Sequence, residues 1–592
     1  MKHFLVMMFF SVIISTLLYG QKDTVVVDGV YTPPIGREGT LNDAIQAKID
    51  NGTLSNTVFK LRAYDFYVLT GTITTPPGAV LEIVADAPGN TQETAPPMIA
   101  WTTSTAPDKR FNFDIAGDVK MKNVWILYGD VAGAQSGTSL RVGDSSNVVG
   151  GVGGRAEFEN VIFDHSLVPG SAAGAVEIYS THFKGKFTNC YFRNCVDPHY
   201  RYYGRALSFR YSSTGLHADS VMFENCTFAN MGYVYMQEGA EYGDNVHFNH
   251  CTFYNVVQFT LESGWWYKMS VTNSVFVNTQ MYGAIPANDG EGFGGTINIA
   301  PIDSGARGNG FGFTVPFTEQ DRRILFTNNS YFLDQWLVDW MRTNPYSDSL
   351  RKKREDDLMP MMNSNTIALF DSLDEQGNKV FPYRNYVDLY DNTDPSFKVP
   401  TLNLDSLKQF LYHKWSDNKD VDWTWHKEDY NPNNQLWPLE EDFSYTNTTL
   451  QTAGMGSFPL GDLYRWWPNE YAQWKSQADQ EKTLIFDRLK NGITDVKEQT
   501  GIAVPLEYTL SQNYPNPFNP ITQIEYSVPK DGYVSLKVYN DLGQEVVDLF
   551  SGIQRTGNYK ATFDGTGLAS GVYFYKLQSE NVSITKKLVL MK

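Results

Sequence analysis

The chain has 592 residues, which is enough for one large domain and a small second one. Its net charge of −18 at pH 7 predicts an acidic surface that repels phosphate backbones, so nucleic-acid binding is excluded as a main function. Four cysteines are too few for a disulfide scaffold, whereas 14% aromatic residues and 48 glycines are typical of a β-rich extracellular protein.

The N-terminus has the pattern of an export signal. A short basic start, Met1–His3, precedes a mostly apolar run from Phe4 to Leu18, and Tyr19–Gln21 is a plausible cleavage junction. The run is too short to be a comfortable membrane span, and no other apolar run of that length follows. We therefore predict a signal peptide at residues 1–20 and no transmembrane span in the mature chain.

The next segment predicts the closed end of a strand stack. Gly39–Ala47 has the pattern of a short amphipathic helix, and Tyr67–Val84 that of two strands around a Pro-Gly turn. A helix at this position would cover strand edges that would otherwise recruit other chains.

A hexamer with the pattern apolar-x-Asn/His-small-x-aromatic then recurs at unequal intervals. The five clear copies are Phe158–Phe163, Phe187–Phe192, Phe223–Phe228, Phe248–Phe253 and Val271–Phe276. A strand this short cannot bury a face alone, so successive copies should stack in a parallel coil with rungs roughly 4.8 Å apart. Asn189, Asn225, His250 and Asn273 would then stand above one another, with His250 interrupting the Asn ladder. Cys190, Cys226 and Cys251 would form a column of small buried fillers rather than a disulfide or a metal site.

These features together resemble the pectate-lyase-like right-handed parallel β-helix. The resemblance implies an all-β solenoid with helical caps over residues 21–468, with long insertions, or a separate inserted domain, at about 330–442. Asn447–Leu450 and Phe458–Pro468 resemble the last coil of secreted bacterial β-helix proteins. Residues 469–490 should form a helix that caps or buttresses that end, and residues 491–505 a linker.

A second strand after each hexamer predicts a binding surface. Assigning alternate apolar residues to the interior leaves Tyr179, Arg210, Gln237 and Glu262 in one outward column. Two coils carry insertions at the same corner, and aromatic or imidazole side chains accompany the column: His199, Tyr202, Tyr203, Trp265 and Trp266. Polar groups beside aromatic rings suit an extended sugar chain, so we predict a glycan-binding site. The alternative is that the column is simply the solvent face of the coil.

The chemistry of this column is less defined. Lyases of the family use an Arg or Lys base together with calcium or acidic groups, which makes Arg210 the candidate base. Calcium would be compatible with the fold, but neighbouring rungs show no Asp cluster, so no cofactor or metal is assigned. Glu177 and Glu262 would lie roughly 14 Å apart, too far for a hydrolase pair. His217 and His247 have no predicted partner and are expected to be structural.

The last segment, residues 506–592, predicts a small β-sandwich of about seven short strands, with an Ig-like accessory module as one interpretation. Four motifs follow one another in this segment: Tyr514–Pro520, Val538–Val546, Leu568–Tyr575 and Lys586–Leu590. Together they resemble the type A C-terminal sorting domain of type IX secretion cargo. On this resemblance the sorting-signal residues are Pro515, Asn516, Pro517, Phe518, Gly543, Gly571, Lys586 and Lys587.

The resemblance implies a bacterial protein exported through Sec and then the type IX machinery to the outer-membrane surface or the medium. Removal of the sorting domain and covalent attachment to surface lipopolysaccharide often follow. The sequence thus predicts a secreted or cell-surface β-helix protein that engages extracellular polysaccharide. The alternatives are a non-catalytic adhesin or spacer, and an enzyme, either a polysaccharide lyase with Arg210 as base or a glycoside hydrolase.

Overall fold

The computed structural model describes most of the chain in separate ranges. They are residues 22–32, 36–101, 111–130, 138–144, 153–165, 174–196, 204–209, 216–236, 242–258, 260–263, 265–281, 296–299, 302, 315–343, 361–362, 364–400, 403–415, 436–492, 507–513, 515–529, 532–554, 557–579 and 582–591. The predicted signal peptide therefore lies outside the described residues. The chain forms two compact units, Met1–Ile493 and Thr494–Lys592.

The first unit is a parallel β-helix with three faces, in which each coil adds one short strand to each face. The first-face strands are Asp23–Val27, Thr57–Leu61, Val80–Ala85, Asp118–Lys122, Arg155–Glu159, Phe183–Thr188, His217–Glu224, Tyr242–Asn249, Trp265–Thr272, the start of Arg323–Phe332, and Arg384–Asp391. The second-face strands are Phe66–Leu69, Met98–Trp101, Trp125–Asp130, Ile162–Asp164, Tyr191–Cys195, Thr227–Met231, Thr252–Val256, Val275–Val277 and the end of Arg323–Phe332. The third-face strands are Ile73–Thr75, Phe111–Ile115, Thr138–Val142, Gly174–Ile178, Arg205–Phe209, Tyr233–Met236, Leu261–Ser263 and Ile297–Ile299.

The repeated hexamers lie directly above one another, which confirms the predicted coil. Phe158 pairs with Phe187, and Phe187 with Phe223, while Phe163 pairs with Phe192 on the second face. Their rings form two buried stacks, with neighbouring centroids 4.4–5.2 Å apart. Offset stacking of this kind adds stability beyond the burial of apolar area alone. The four cysteines are buried free thiols, as expected of small core fillers.

The Asn position of the hexamer is the corner between the first and second faces. The backbone is left-handed at this position in successive coils, with φ between 50° and 59° at Asn160, Asn189, Asn225, His250 and Asn273. Asn is one of the few residues that adopts this conformation readily, because its short side chain hydrogen-bonds locally. His250 replaces Asn at its rung of the ladder but takes the same conformation, so the left-handed backbone continues past it.

A second ladder lies at the corner between the second and third faces. The backbone is again left-handed, with φ between 52° and 59° at His165, Asn194, Asn230, Asn255 and Asn278. The Asn side chains donate to one another from coil to coil, with N···O distances of 3.1–3.2 Å. The buried amides thereby satisfy each other along the axis of the coil.

The two ends of the coil are closed by helices. Thr40–Asp50 covers the first coil and buries Leu41 and Ile45, in line with the predicted cap. At the other end, Ser364–Asp371 buries Phe370 in the same core. The remaining α-helices are Gln335–Thr343, Leu404–Trp415, Leu463–Trp466, Pro468–Trp474 and Ala478–Asn491, and the 3₁₀ turns are Leu54–Asn56, Gln92–Thr94, Glu319–Asp321, Leu450–Thr452 and Met455–Ser457.

Residues 447–491, the lateral segment, add no further coil, and their helix Ala478–Asn491 packs Ile485 and Leu489 against Leu325 of a late coil, whereas we expected a last coil followed by a capping or buttressing helix. They run along the side of the coil and contact the first corner. The Gly461 amide donates to the Asn273 carbonyl at 2.8 Å, the Leu463 amide to Asn225 Oδ1 at 3.3 Å, and Arg465 to Asn160 Oδ1 at 3.3 Å. The first corner is therefore covered by the lateral segment over several coils.

The outside of the second face is covered as well. Strand Asp442–Tyr445 pairs antiparallel with Phe397–Val399, and Phe443 packs against Tyr254 of the second face. Glu441 accepts hydrogen bonds from Tyr191 at 2.9 Å and from Arg193 at 2.6 Å. The second face is thus covered by the protein's own chain at these coils.

The second unit is an antiparallel sandwich of seven strands in its described residues. One sheet contains Thr509–Leu510, Ile521–Val528 and Gly557–Asp564, and the other contains Glu545–Gln554, Gly532–Tyr539, Gly571–Ser579 and Val582–Leu590. The core between the sheets includes Phe518, Leu536 and Tyr575.

No helix within the described ranges combines the length and the apolar character needed to cross a membrane.

Candidate functional site

The strand register of the third face corrects the predicted column. Glu177 pairs with Ser208, and Met236 pairs with Ser208 and also with Glu262. Glu262 therefore stands in the column of Glu177 and Ser208, not in that of Tyr179. The reason is that Tyr235 takes the inward position opposite Leu207. Its ring contacts Phe209 and Phe248 in the core.

The two tryptophans of the predicted site are also corrected. Trp265 and Trp266 begin a first-face strand, and their side chains are only 4% and 0% exposed. Buried rings cannot stack on a sugar. The predicted residues His199, Tyr202, Tyr203, Arg210 and Gln237 lie outside the described ranges, and only the backbone of Glu262 is described.

A different set of side chains forms a polar cluster on the third face, with Glu177 9% exposed and the side chains of Arg141 and Asp114 19% and 18% exposed. Asp114, Arg141 and Glu177 occupy successive rungs of one outward column. Arg141 binds Asp114 through two nitrogens, with Nε to Oδ1 at 2.8 Å. Its guanidinium lies 4.5 Å from the ring centroid of Phe111 and 4.9 Å from that of Tyr179. We call Phe111, Asp114, Arg141, Glu177 and Tyr179 the third-face cluster.

The electrostatics of this cluster favour binding over proton transfer. Burial works against the charge on Arg141, but the hydrogen bonds and charge of Asp114 outweigh it and raise the Arg141 pKa. An arginine with a raised pKa stays protonated at neutral pH and cannot accept a proton from a substrate. Tyr179 donates its hydroxyl to Glu177 Oε2 at 3.2 Å, which orients that carboxylate.

The two glutamates that we considered as a hydrolase pair remain far apart. Glu177 pairs with Ser208, Ser208 with Met236, and Met236 with Glu262. Three rungs correspond to roughly 14 Å, which exceeds both the retaining and the inverting carboxylate separation. These two residues therefore do not form a glycosidase site together.

Among the described residues, one group of side chains has the geometry of a metal site: His182, His217 and Asp219. It lies where the chain passes from the third face to the first. Two imidazole donors do not match the oxygen preference of calcium. Our expectation that His217 has no partner was wrong, because the pairing of distant strands brings the three residues together.

The outer surface of the first face carries charges of alternating sign. Lys120 contacts Glu157 at 3.1 Å and Lys122 contacts Glu159 at 2.8 Å, and all four side chains are exposed. Exposed pairs of this kind contribute little to stability and leave no unmatched charge for a ligand.

In the second unit, the sorting-signal residues around Asn516 are fastened to the last strand. Asn516 Oδ1 accepts from the Val589 amide at 2.9 Å, and the Phe518 amide donates to the Val589 carbonyl at 3.0 Å. Phe518 is 2% exposed and packs in the core. Its neighbours Pro515 and Pro517 are exposed.

The other sorting-signal residues lie at turns and on the same sheet. Gly543 has a φ of 77° in the turn after Tyr539, a conformation that favours glycine. Gly571 pairs with Leu590, Lys586 with Tyr575, and Lys587 with Phe574. The predicted signal is thus spread over one sheet and the loop that packs against its last strand.

Comparison with family models agrees with both units. Residues 116–294 match the model described as right handed beta helix region, and residues 512–591 match the secretion system C-terminal sorting domain. A search of curated proteins found no match to the chain. The fold and these matches define a right-handed parallel β-helix protein that carries a sorting domain of the type IX secretion system. The sorting domain indicates export by the type IX machinery to the cell surface or the extracellular space.

Proposed function

We propose that this exported β-helix binds extracellular polysaccharide along its third face. The observation that carries the proposal is the third-face cluster, in which Arg141 is held between the rings of Phe111 and Tyr179 beside Glu177. Aromatic edges with a few oriented hydrogen-bonding groups are typical of sugar sites. The cluster stands on strands of a rigid coil, so little conformational entropy is lost on binding.

The charges of the cluster favour a neutral glycan. Arg141 is already neutralised by Asp114, and Glu177 adds a further negative charge. A uronate would be repelled by this arrangement, whereas hydroxyl groups can donate to the carboxylates and accept from the guanidinium. The net charge of −18 also disfavours the binding of acidic glycans.

This proposal does not include turnover. A lyase with Arg210 as base would release unsaturated products, and a hydrolase would release reducing ends. A pure adhesin or spacer would retain no glycan. These outcomes separate the three functions.

The test uses the mature chain with a panel of neutral and acidic glycans, and measures retention by affinity electrophoresis together with product formation. We expect retention by a neutral glycan, no products, and a loss of retention of roughly tenfold or more in Arg141→Ala, because hydrogen bonds to a charged group contribute about 1.5–3 kcal/mol and about 1.4 kcal/mol corresponds to tenfold. Lys120→Ala on the first face is the matched control and should bind like the unaltered protein. No retention by any glycan, or equal retention by Arg141→Ala, would refute the proposal.

We also propose that the mature protein begins near residue 21 and is attached covalently to surface lipopolysaccharide once the sorting domain has been removed. Support comes from the sorting domain at residues 512–591. Mass spectrometry of the surface fraction should find peptides from the β-helix and none from residues 506–592. Intact sorting-domain peptides on the surface form would contradict it.

A further inference from the structure

The corner between the third and first faces carries a compact arrangement of His182, His217 and Asp219. His182 is the turn residue, with a φ of 60°, and it precedes the strand Phe183–Thr188. Phe183 pairs with Ala218, which brings His182 beside His217 on the neighbouring rung. The register then shifts between Phe183 and Lys184. This irregularity inserts Asp219 as an extra residue and directs it to the same place, a common use of β-bulges.

The distances between the donor atoms match the edges of a tetrahedral site. His182 Nδ1 lies 2.9 Å from Asp219 Oδ1, and His217 Nε2 lies 3.4 Å from the same oxygen. All three donor atoms lie within 4.8 Å of one another. A zinc ion with bonds of about 2.0–2.2 Å in tetrahedral geometry separates its donor atoms by roughly 3.3–3.5 Å. The two His–Asp distances lie within a few tenths of an ångström of this range, and the two imidazole donors lie within 4.8 Å of each other.

The buried histidine is oriented in advance. His217 is 8% exposed, and its ring is stacked on that of Tyr242 with centroids 4.7 Å apart and planes 3° from parallel. Its Nδ1 faces the hydroxyl of Thr181. A hydroxyl that accepts the Nδ1 proton leaves the Nε2 lone pair directed toward Asp219, which is the usual support of a metal-binding histidine.

Asp219 is positioned as well, and the site has an entrance. Asn245 Nδ2 donates to the Asp219 backbone carbonyl at 2.9 Å. Lys184 lies 3.4 Å from the second carboxylate oxygen and leaves Oδ1 available. The His182 side chain is 62% exposed, so an ion can enter from solvent without opening the fold.

We propose that His182, His217 and Asp219 bind Zn²⁺, with a fourth position open to water or to an external ligand. Two imidazoles and one carboxylate are a donor set that suits zinc and disfavours calcium and magnesium. Three protein ligands are typical of zinc sites that interact with a further molecule, whereas structural sites are closed by four. The site is independent of the third-face cluster and does not rest on glycan binding.

The test is a calorimetric titration of the metal-free mature chain with Zn²⁺. We expect one equivalent to bind, and the affinity to fall by roughly tenfold or more in His182→Ala and in Asp219→Asn. Lys184→Ala is the control next to the site: it removes no ligand and should bind at least as tightly, since a competing cation is gone. Because His182 has a left-handed backbone, His182→Gly is measured as well: it keeps that conformation without strain, carries no ligand and should show the same loss of affinity.

A cobalt substitution identifies the donors. Co²⁺ in this site should show the visible bands of a tetrahedral ion without a thiolate charge-transfer band. A thiolate band would place the metal on the cysteine column, and equal affinity of His182→Ala and the unaltered chain would place it elsewhere. Either result, or the absence of zinc binding, would overturn the proposal.

Discussion

At the corners that carry the two Asn ladders, the turn residue combines a left-handed backbone with a buried position. For an L-residue other than glycine, this backbone costs roughly 1–2 kcal/mol unless the side chain compensates. Asn230 is 6% exposed; its side chain donates to Asn194 Oδ1 and accepts from Asn255 Nδ2, both at 3.2 Å. The amide ladder is therefore both a turn device and a source of stability.

Replacing Asn230 separates these two contributions. Asn230→Ala should lower the free energy of unfolding by about 2–4 kcal/mol, because it adds backbone strain and leaves two neighbouring amides each short of one partner. Asn230→Gly keeps the backbone relaxed and should lose less. Urea denaturation of the mature chain measures both. If the two variants were equally stable, the backbone conformation would not matter at this corner.

The burial of His247 predicts that the folded protein loses stability in acid. It is buried next to Phe486 and bonds to Ser270 Oγ at 2.8 Å, and burial lowers its pKa from 6.5 to about 3. Between these two values the unfolded chain takes up a proton that the folded chain does not, so stability is complete above pH 6.5 and is lost as the pH falls toward 3.

The measurement compares the unaltered chain with His247→Gln at pH 7.5 and pH 4.5. From the pKa difference, we expect the unaltered chain to lose about 2.7 kcal/mol more than the variant over this interval. Equal losses would show that His247 titrates normally in the folded protein.

At the scale of elements, the lateral segment is held by hydrogen bonds to the first corner and by apolar clusters, one of which includes Leu325 of the coil. Leu463 is fully buried with Phe458 and Trp474, and its amide donates to Asn225 Oδ1. Few backbone hydrogen bonds of the lateral segment belong to a sheet. Its attachment should therefore be less stable than that of the coil beneath it.

Leu463→Ala should detach this segment before it affects the coil. Loss of the buried side chain should cost about 2–5 kcal/mol and should accelerate hydrogen exchange at the amides of Gly461 and Leu463. Val399→Ala, at a position 47% exposed, is the control and should change neither quantity. Faster exchange throughout the first-face strands would indicate that the segment and the coil unfold as one.

The elements differ in how far the sequence predicts them. The first two faces were predictable because the hexamer encodes both the inward aromatic residues and the Asn corner, and each copy pairs with the next. The second Asn ladder has a sequence signal that we did not use: an Asn two residues after the closing aromatic, as in Asn194, Asn230 and Asn255.

The third face was not predictable to the same degree, because its strands lack a repeated motif and follow loops of different length. Alternation alone placed Met236 inward, whereas Tyr235 fills the interior beside Trp266. The metal-type cluster was missed because its register depends on an irregularity at Asp219 that no local pattern shows. The lateral segment was assigned to the last coil because its partners, such as Asn225 and Asn273, are distant in sequence.

At the scale of the whole molecule, export and the β-helix belong to separate units with separate cores. Phe518→Ala should therefore destabilise the sorting domain by about 3–5 kcal/mol and leave the β-helix intact. We expect the full chain to accumulate in the periplasm at the expense of the surface and the medium, as measured by immunoblots of cell fractions. Leu542→Ala, 78% exposed in the same unit, should be exported normally. Normal export of Phe518→Ala would show that the folded sandwich is not what the machinery recognises.

The third-face cluster and the zinc site both depend on coils stacked in register. Glu82 pairs with Lys120, Lys120 with Glu157, and Glu157 with Lys186, so Glu82 and Lys186 stand three rungs apart on an accessible face. The most direct measurement is the electron paramagnetic resonance spectrum of spin labels at Glu82→Cys and Lys186→Cys, with the single variants as controls and the buried native thiols unlabelled. A backbone separation of roughly 14 Å predicts clear dipolar broadening in the double variant. A spectrum equal to the sum of the two single variants would contradict the stacking and, with it, both sites.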